Sequence, residues 1–350
     1  MVLHLLRGDF AMHGVRLYAG TAGHSTWFSS DLGDQWIHPN SHSGLYTEAR
    51  VWCFSSHPSD PDTLYAGSDM GLFCWSERAQ AWESLPSPMA DIWSIAQDPS
   101  DPRILIAGTR PGALYRSTDA GRHWLQCSTP GVQAFSSVNR GPTRVTQILF
   151  DPIDHGTIWA GIEIGGIWRS TDSGLNWTFL DQGLVSGDIH GIAVIRDTDG
   201  AKAVLATTNK GLHRSRDNGA SWVHETIDSP WQYSRAVQLA PDGRTLYLTN
   251  GNGPPGSTGR LLRSEDAGHH WHEIALPGML NSTVWCVAMH PADPQLLFTC
   301  TNLGQVFRST DGGENWTRLA REFGEIRALH WRPAPPSNDT SAVAAQWTYR

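Results

Sequence analysis

The sequence predicts an all-β fold made of several similar small sheets, and three observations lead to that class. Gly and Trp are abundant among the 350 residues, at 35 and 17, while charged residues make up only 17%. Such a composition favours short strands joined by tight turns. No stretch has the sustained period of an amphipathic helix. The third observation is a polar motif ending in tryptophan that returns along most of the chain.

The motif Ser-x-Asp-x-Gly-x-x-Trp occurs six times, with a seventh, degenerate copy. The copies are SSDLGDQW (29–36), SERAQAW (76–82), STDAGRHW (117–124), STDSGLNW (170–177), SRDNGASW (215–222), SEDAGHHW (264–271) and STDGGENW (309–316). Successive tryptophans lie 42 to 53 residues apart, the length of a four-stranded propeller blade. The Ser and Asp can bond turn amides, and the Gly supplies a backbone angle that other residues resist. We expect each Trp to be buried between neighbouring sheets.

Each repeat predicts four strands, named A, B, C and D in chain order. In the fourth repeat they fall at 145–150, 157–162, 167–170 and 177–180. A small sheet cannot bury its two faces alone, and radial stacking of several sheets solves this. The prediction is a single domain over residues 1–350, an all-β, seven-bladed β-propeller of four-stranded antiparallel blades.

The two ends of the repeats indicate how the ring closes. The first clear strand, 16–21, is of type B, and the last before the proline-rich PAPP at 333–336 is of type A, at 326–331. We therefore expect the C-terminal strand to complete the N-terminal blade, with repeats from about 15 to 332. Residues 1–12 offer a competing A strand, and 337–350 have no evident place in the ring.

The motif is that of the Asp-box, or BNR, repeat. From about residue 15 to 332 the chain resembles the propellers of sialidases, sortilin-type receptors, xyloglucanases and photosystem II stability/assembly factor-like proteins. The resemblance implies the fold and says little about activity, because the motif belongs to the scaffold in all of these families. A sialidase is disfavoured: there is no Arg-Ile-Pro, no recognisable arginine triad, and seven repeats instead of six. Xyloglucanases form their cleft between two propellers, and one is predicted here.

Charge and hydropathy exclude several classes of partner. The net charge is −8 with no run of Lys or Arg, which argues against nucleic-acid binding. No apolar stretch reaches the roughly 20 residues of a membrane span. The N-terminus has no convincing signal peptide, so we expect a cytoplasmic protein, although an exported form that has lost its leader fits the same sequence.

The cysteines predict no special chemistry. There are five, an odd number, and no CxxC spacing occurs; they are Cys53, Cys74, Cys127, Cys286 and Cys300. All fall in predicted strands beside apolar residues. We expect buried free thiols in a reducing compartment, not a metal or redox site.

Long connections gather on one face of the predicted ring. In a propeller the A–B and C–D turns lie on one face, and the B–C and D–A connections lie on the other. Four D–A connections and one B–C connection are long, namely 39–50, 128–144, 181–190, 226–234 and 251–259. Long loops on a rigid scaffold are where binding sites usually form.

The starts of the A strands and of the B–C turns would line the channel mouth on that face. Their arginine, carboxylate and aromatic side chains suit a polar-ligand pocket, with solvated channel residues as the alternative reading. The predicted ligand-binding residues are Tyr46, Arg50, Arg110, Arg144, Arg235, Arg327, Trp93, Trp231 and Trp285.

Five residues are candidates for catalysis. His42 and His190 are of the type that serves as general acid or base, with a solvated loop histidine as the alternative for each. Glu48 with Glu163, or Asp69 with Glu163, are candidate carboxylate pairs of the glycosidase kind. The HHWH stretch at 269–272 belongs mostly to a turn on the opposite face, so we predict no metal site. No motif indicates a cofactor.

Two functions remain open from the sequence. The first is a recognition module that grips a polar small molecule, a glycan or a protein partner at the mouth. The second is a hydrolase or lyase acting on a glycan or another polar small molecule in the same pocket. A His and a carboxylate converging from different blades would favour the enzyme, and a wide, aromatic-rimmed mouth would favour the binding module.

Overall fold

Seven small antiparallel sheets surround a central channel. A computed structural model describes residues 14–39, 41–132, 136–137 and 141–335. The seven-bladed β-propeller predicted from the sequence is confirmed. Residues 1–12 and 337–350, which had no clear place in the prediction, lie outside the described residues. No helix within the described ranges is long and apolar enough to cross a bilayer.

The strands are numbered in chain order. Blade 1 contains β1 (Val15–Thr21) and β2 (Thr26–Ser29), and a short 3-10 turn at Ser41–Ser43 follows them. Blades 2 and 3 contain β3 (Val51–His57), β4 (Asp60–Ser68), β5 (Gly71–Ser76), β6 (Ala81–Leu85), β7 (Ile92–Asp98), β8 (Asp101–Thr109), β9 (Leu114–Ser117) and β10 (Leu125–Gln126). A small hairpin, β11 (Ser136–Ser137) with β12 (Gly141–Pro142), lies in the connection that follows.

The remaining strands form blades 4 to 7 and complete blade 1. Blades 4 and 5 contain β13 (Val145–Phe150), β14 (Ile158–Ile162), β15 (Gly166–Ser170), β16 (Thr178–Leu180), β17 (Ile189–Arg196), β18 (Lys202–Thr208), β19 (Gly211–Ser215) and β20 (Val223–Glu225). Blades 6 and 7 contain β21 (Tyr233–Leu239), β22 (Leu246–Gly251), β23 (Gly259–Ser264), β24 (His272–Ile274), β25 (Val284–Ala288), β26 (Leu297–Thr301), β27 (Val306–Ser309) and β28 (Thr317–Arg318). The last strand is β29 (Ile326–Pro333).

The ring closes in blade 1 as the sequence predicted. Strand β29 pairs with β1 along its whole length, from Val15 opposite Pro333 to Thr21 opposite Ile326. This blade has three strands in its sheet, and a bridge between Phe28 and Ile37 stands in the place of the fourth. The other six blades have four strands each.

The core lies between neighbouring blades. The B strands are buried on both faces, which explains their continuous apolar sequences. In blade 4, every residue of β14 is buried, and the indole N–H of the fully buried Trp159 donates to Asp151 at 3.0 Å. A buried indole needs such a partner, so this bond fixes the ring between two blades.

The repeated motif forms one hydrogen-bonded turn. In blade 4 the Ser170 hydroxyl donates to Asp172 at 2.8 Å and accepts the amide of Gly174 at 2.9 Å, while Asp172 also accepts the amide of Asn176. The other five full copies make the same Ser–Asp and Gly–Ser bonds. In each full copy, the Gly and the residue before it have positive φ. Glycine adopts this conformation most easily. The predicted burial of the closing tryptophan holds fully for Trp82, Trp177, Trp222 and Trp316, whereas Trp36, Trp124 and Trp271 are half-buried.

The long connections fall on one face. Because successive strands run antiparallel, the D–A and B–C connections share one end of the ring. The segments 39–50, 128–144, 181–190 and 226–234 join D to A positions, and 251–259 joins β22 to β23. The long connections therefore lie around the mouth on this side of the ring.

Candidate functional site

Each A strand carries a β-bulge close to its start, after one paired residue in six blades and after two in blade 6. In β3, Val51 lies opposite Ser68 and Cys53 lies opposite Gly67, so Trp52 has no residue opposite it on the neighbouring strand. The same skip occurs in all seven blades, at Arg327, Trp52, Trp93, Thr146, His190, Arg235 with Ala236, and Trp285. A bulge re-aims a side chain without ending the strand.

The bulged residues meet around the channel. A channel cavity of about 240 Å³ is lined by A strands of all seven blades and includes the bulged residue of each. Because one bulge per blade repeats at one height, seven side chains form a ring at the mouth. We call these residues the bulge ring.

One side of the bulge ring is a stack of two indoles capped by a cation. Trp52 and Trp93 lie parallel, with ring centroids 4.1 Å apart and planes 13° apart. The Arg144 guanidinium lies 4.1 Å from the Trp93 centroid. Asp91 accepts the indole N–H of Trp52 at 2.7 Å. The two faces of Trp93 are therefore covered by neighbours.

On the other side, two arginines flank one indole. The Arg235 guanidinium lies 3.9 Å from the Trp285 ring, and that of Arg327 lies 5.1 Å from it. The Arg327 guanidinium also lies 5.8 Å from the Trp52 ring, so it contacts both indole groups of the bulge ring. Contacts of this kind stabilise a cation when water is excluded.

The three arginines differ in their counter-charges. Arg144 makes two bonds to the buried carboxylate of Glu163, at 2.6 and 2.7 Å. Arg327 pairs with Glu325. Arg235 has no carboxylate within ion-pair distance among the described residues, and its only side-chain hydrogen bond there is a long one of 3.5 Å to the Tyr233 hydroxyl. The mouth thus holds one guanidinium without an acidic partner in the described chain.

The positive charges repel one another. Burial is the main cause that lowers the pKa of Arg327 to about 10, and repulsion from Arg235 and Arg144 acts in the same direction. Burial also lowers the pKa of Arg144, and Arg235 and Arg110 lower it further. An anion bound among these guanidiniums would offset their mutual repulsion.

His190 is a buried member of the bulge ring, as is Trp285. Its Nδ1–H donates to the carbonyl of Ser234 at 2.7 Å, and its Nε2 lies 3.3 Å from Asp188. Burial lowers the pKa of His190, and repulsion from Arg235 contributes. The His190 residue is only 6% exposed. Its role in proton transfer stays a prediction.

Five predicted site residues lie in or beside the segment 39–50, apart from the bulge ring. His42, Tyr46, Glu48 and Arg50 are exposed. Asp69 accepts the backbone amide of Arg50 at 2.9 Å and so fixes the end of the segment. The proposed pairing of Glu48 or Asp69 with Glu163 gains no support, because the Glu163 carboxylate is engaged by Arg144.

Two further predicted residues lie near the mouth. The Arg110 amide donates to the Asp91 carbonyl at 2.9 Å, and its charge acts on Arg144. Trp231 lies in the 226–234 connection and carries the Arg260 guanidinium 5.4 Å from its ring. Of the predicted residues, the structure brings Trp93, Arg144, Glu163, His190, Arg235, Trp285 and Arg327 together.

Sequence reasoning missed Trp52, Thr146 and Tyr233. Trp52 had a usable signal, since VWC at 51–53 repeats at 284–286 and resembles IWS at 92–94. Thr146 has no such signal in its blade.

The described residues hold no cluster of three or more His, Cys, Asp or Glu side chains suited to a metal ion. In the HHWH stretch, His269 bonds Asp197 at 2.7 Å and His270 bonds Asp266 at 2.6 Å. These two histidines therefore hydrogen-bond carboxylates of the fold.

Apolar side chains are exposed in connections on the face that carries the mouth. Eight large apolar residues are exposed in the described part of the chain, and five lie in D–A or B–C connections: Tyr46, Met70, Val185, Met279 and Leu303. Met279 is the most exposed, at 87%. Exposed apolar groups around a polar centre are typical of surfaces that bind other proteins. We call these five residues the apolar rim.

A larger groove of about 820 Å³ lies between blades 6 and 7. Its Arg263 is already neutralised, since it pairs with Glu314 and with Glu265 at 2.7 Å. None of the five long connections lines it. The channel mouth is therefore the better candidate site.

Fold and site define the class of this protein as a seven-bladed β-propeller with a cationic, aromatic channel mouth. Its resemblance to photosystem II assembly factor-like and glycosyl hydrolase propellers is confirmed. No protein-family model matches the chain. The photosystem II assembly lipoprotein Ycf48 of a Synechococcus strain is 26% identical over 135 residues, which is 38% of each chain.

Solved structures show the same fold at low identity. The GH74 xyloglucanase of Xanthomonas campestris is 22% identical with a TM-score of 0.57, over 77% of this chain and 45% of that one. A YCF48 structure bound to D1 peptide is 19% identical with a TM-score of 0.54, over 78% of this chain and 81% of that one. The chain spans less than half the length of the Synechococcus relative and of the xyloglucanase.

Proposed function

We propose that this propeller is a recognition module that binds an acidic segment of a protein partner at the channel mouth. The observation that carries the proposal is Arg235, a guanidinium held on Trp285 with no carboxylate partner in the described chain. A carboxylate from a ligand would supply the missing counter-charge. It would also offset the repulsion among Arg235, Arg144 and Arg327. Arginine binds carboxylates through two parallel hydrogen bonds, which gives orientation as well as affinity.

Three features favour a protein segment over a small molecule. The apolar rim offers contacts beyond the reach of a small anion. Long connections surround the mouth on several sides. The YCF48 structure with D1 peptide, a protein matched over 81% of its length, gives a peptide-binding precedent on this fold.

A glycan is less well supported as ligand. Sugar binding usually needs an open aromatic face, and the indoles of the bulge ring are covered. Trp93 lies between Trp52 and Arg144, and Trp285 lies between Arg235 and Arg327. These indoles brace arginines. A hydrolase or lyase activity would have to use His190 and Asp188, whose side chains are both buried.

A binding experiment tests the proposal. Short peptides rich in Asp and Glu, with free and with amidated C-termini, are titrated while tryptophan fluorescence and heat are recorded. Arg235→Gln should weaken binding about tenfold or more, because a charge-assisted hydrogen bond is worth about 1.5–3 kcal/mol. Arg103→Gln removes a positive charge from the opposite face, where Arg103 pairs with Asp101 at 2.7 Å, and should leave affinity unchanged.

Two outcomes would overturn the proposal. One is binding of acidic peptides that Arg235→Gln and Arg103→Gln weaken equally. The other is selective binding or cleavage of a neutral oligosaccharide by the wild type. Mass spectrometry of the products would detect the cleavage.

A further inference from the structure

Two cysteines on neighbouring strands of blade 7 face each other beside the channel mouth. Cys286 in β25 and Cys300 in β26 are directly opposite in the sheet, and their sulfurs are 3.5 Å apart. Directly opposed residues of antiparallel strands have Cα separations of about 4.5–5.5 Å, within the range that a disulfide spans. Neither thiol is bonded to another sulfur in the structure.

We infer that Cys286 and Cys300 form an oxidation site, in which a hydroperoxide that enters the channel converts the pair into a cross-strand disulfide. Cys286 is half-buried and lines the channel cavity, whereas Cys300 is fully buried behind it. A small oxidant therefore reaches Cys286 first. Cys300 is placed to attack the oxidised sulfur of Cys286 and close the disulfide.

The surroundings of Cys286 favour its thiolate. A hydrogen bond from Cys300 lowers the pKa of Cys286, burial opposes this, and the Arg235 charge assists it. Burial raises the pKa of Cys300. The thiolate is the reactive form of cysteine, so attack begins at Cys286.

The reaction balances with the peroxide as sole oxidant. The Cys286 thiolate attacks one peroxide oxygen, which releases hydroxide and leaves a sulfenic acid. The Cys300 sulfur then attacks the Cys286 sulfur, and the Cys300 proton leaves with the hydroxyl group as water. Two thiols and one hydrogen peroxide thus yield one disulfide and two waters.

Cys53 is a control built into the chain. It occupies the position in blade 2 that Cys286 has in blade 7, directly after a bulged tryptophan, and it also lines the channel. Its partner across the sheet is Gly67 instead of a cysteine. Burial raises the pKa of Cys53 to about 12. The two positions share exposure to the channel and differ in the partner thiol.

Oxidation should affect the mouth, an inference that rests on the proposed function. A disulfide draws the sulfurs to about 2 Å, and β26 is held by strands on its two sides. The displacement therefore falls on β25, next to the bulged Trp285 that supports Arg235. We expect the oxidised protein to bind an acidic peptide about threefold more weakly or worse, because tilting that indole misaligns the guanidinium.

Mass spectrometry of the wild type tests the site without any variant. No Lys or Arg lies between Arg263 and Arg308, so trypsin keeps Cys286 and Cys300 in one peptide. After hydrogen peroxide, that peptide should lose about 2 Da and resist alkylation until a reductant is added. Cys53 should react about tenfold more slowly. Equal rates at Cys53 and Cys286, or no mass loss, would overturn the inference.

A variant separates the two chemical steps. Cys300→Ser should leave Cys286 as a sulfenic acid that dimedone traps, and absence of the adduct contradicts the sequence of events. If the oxidised and reduced proteins bind the acidic peptide equally, the coupling to the mouth is wrong while the site stands. If the reduced protein binds no acidic peptide, the proposed function fails, and the mass measurement is unaffected.

Discussion

The Arg235 guanidinium lies over the Trp285 indole, 3.9 Å from the ring centroid, and no carboxylate of the described chain pairs with it. Arg144 and Arg327 in the same bulge-lined mouth have acidic partners. The indole holds Arg235 in place without neutralising it. This contrast yields two opposite expectations for stability and binding.

Arg235→Gln should leave the free energy of unfolding unchanged or slightly higher. The substitution removes a charge that repels Arg144 and Arg327, and it breaks no ion pair. Urea unfolding followed by circular dichroism measures this. A loss comparable to that of a buried ion pair would contradict the assignment of Arg235 as an unpartnered cation.

Arg144→Gln should destabilise the protein by about 3 kcal/mol, because it removes the guanidinium that makes two bonds to the buried carboxylate of Glu163. The double variant with Glu163→Gln should recover much of that loss, since no buried charge remains. Arg103→Gln is the matched control, and its exposed pair with Asp101 should contribute nothing measurable. If Arg144→Gln and Arg103→Gln lower the free energy of unfolding equally, the greater contribution of the buried ion pair is refuted.

The ring closure should depend on Arg332 in β29. Its Nη1 donates to the carbonyls of Pro61 and Thr63 in blade 2, at 2.5 and 3.0 Å, and its Nη2 lies 3.2 Å from Glu77. Arg332→Met should lower the free energy of unfolding by about 3 kcal/mol, because it removes the closer of two cationic partners of the buried Glu77 and leaves the carbonyls of Pro61 and Thr63 without their donor. Hydrogen exchange should rise first in β1 and β29. Protection that falls first in another blade would argue against closure by this strand.

Acid should destabilise the fold through the repeated turns. The side chain of Ser221 is the main cause that lowers the pKa of Asp217 to about 2, and the backbone amide of Asn315 does the same for Asp311. A carboxyl with a lowered pKa stabilises the fold above its unfolded value of about 3.9, and that stability is lost as pH falls toward the folded value. The thermal midpoint should therefore drop between about pH 4 and pH 2. An unchanged midpoint over that window, or an equally steep drop in Asp311→Asn, would contradict this.

The fold was predictable because its signals are local. Turn geometry in stretches such as STDSGLNW depends on residues within one turn, and the spacing of the tryptophans counts the blades. Closure followed from the strand type at 16–21 and 326–331. These features need no knowledge of distances between blades.

The site was predictable only in part, because it depends on register. A bulge is invisible in a short strand, so the sequence did not separate the channel-facing Trp52 from exposed residues such as Tyr46. Whether an arginine has a counter-charge depends on pairing across strands, as for Arg144 and Glu163. The same holds for Cys286 and Cys300, whose opposition in the sheet no sequence spacing reveals.

The most direct measurement follows the tryptophan indole signals by NMR while a short Asp- and Glu-rich peptide is added. We predict that the signals of Trp285 and Trp52 shift with one saturation curve, and that Arg235→Gln moves this curve to peptide concentrations about tenfold higher or more. The NMR signal of the Trp316 indole, which lines the groove between blades 6 and 7, should not shift. Saturating shifts at Trp316 with none at Trp285 would contradict the channel mouth as the binding site.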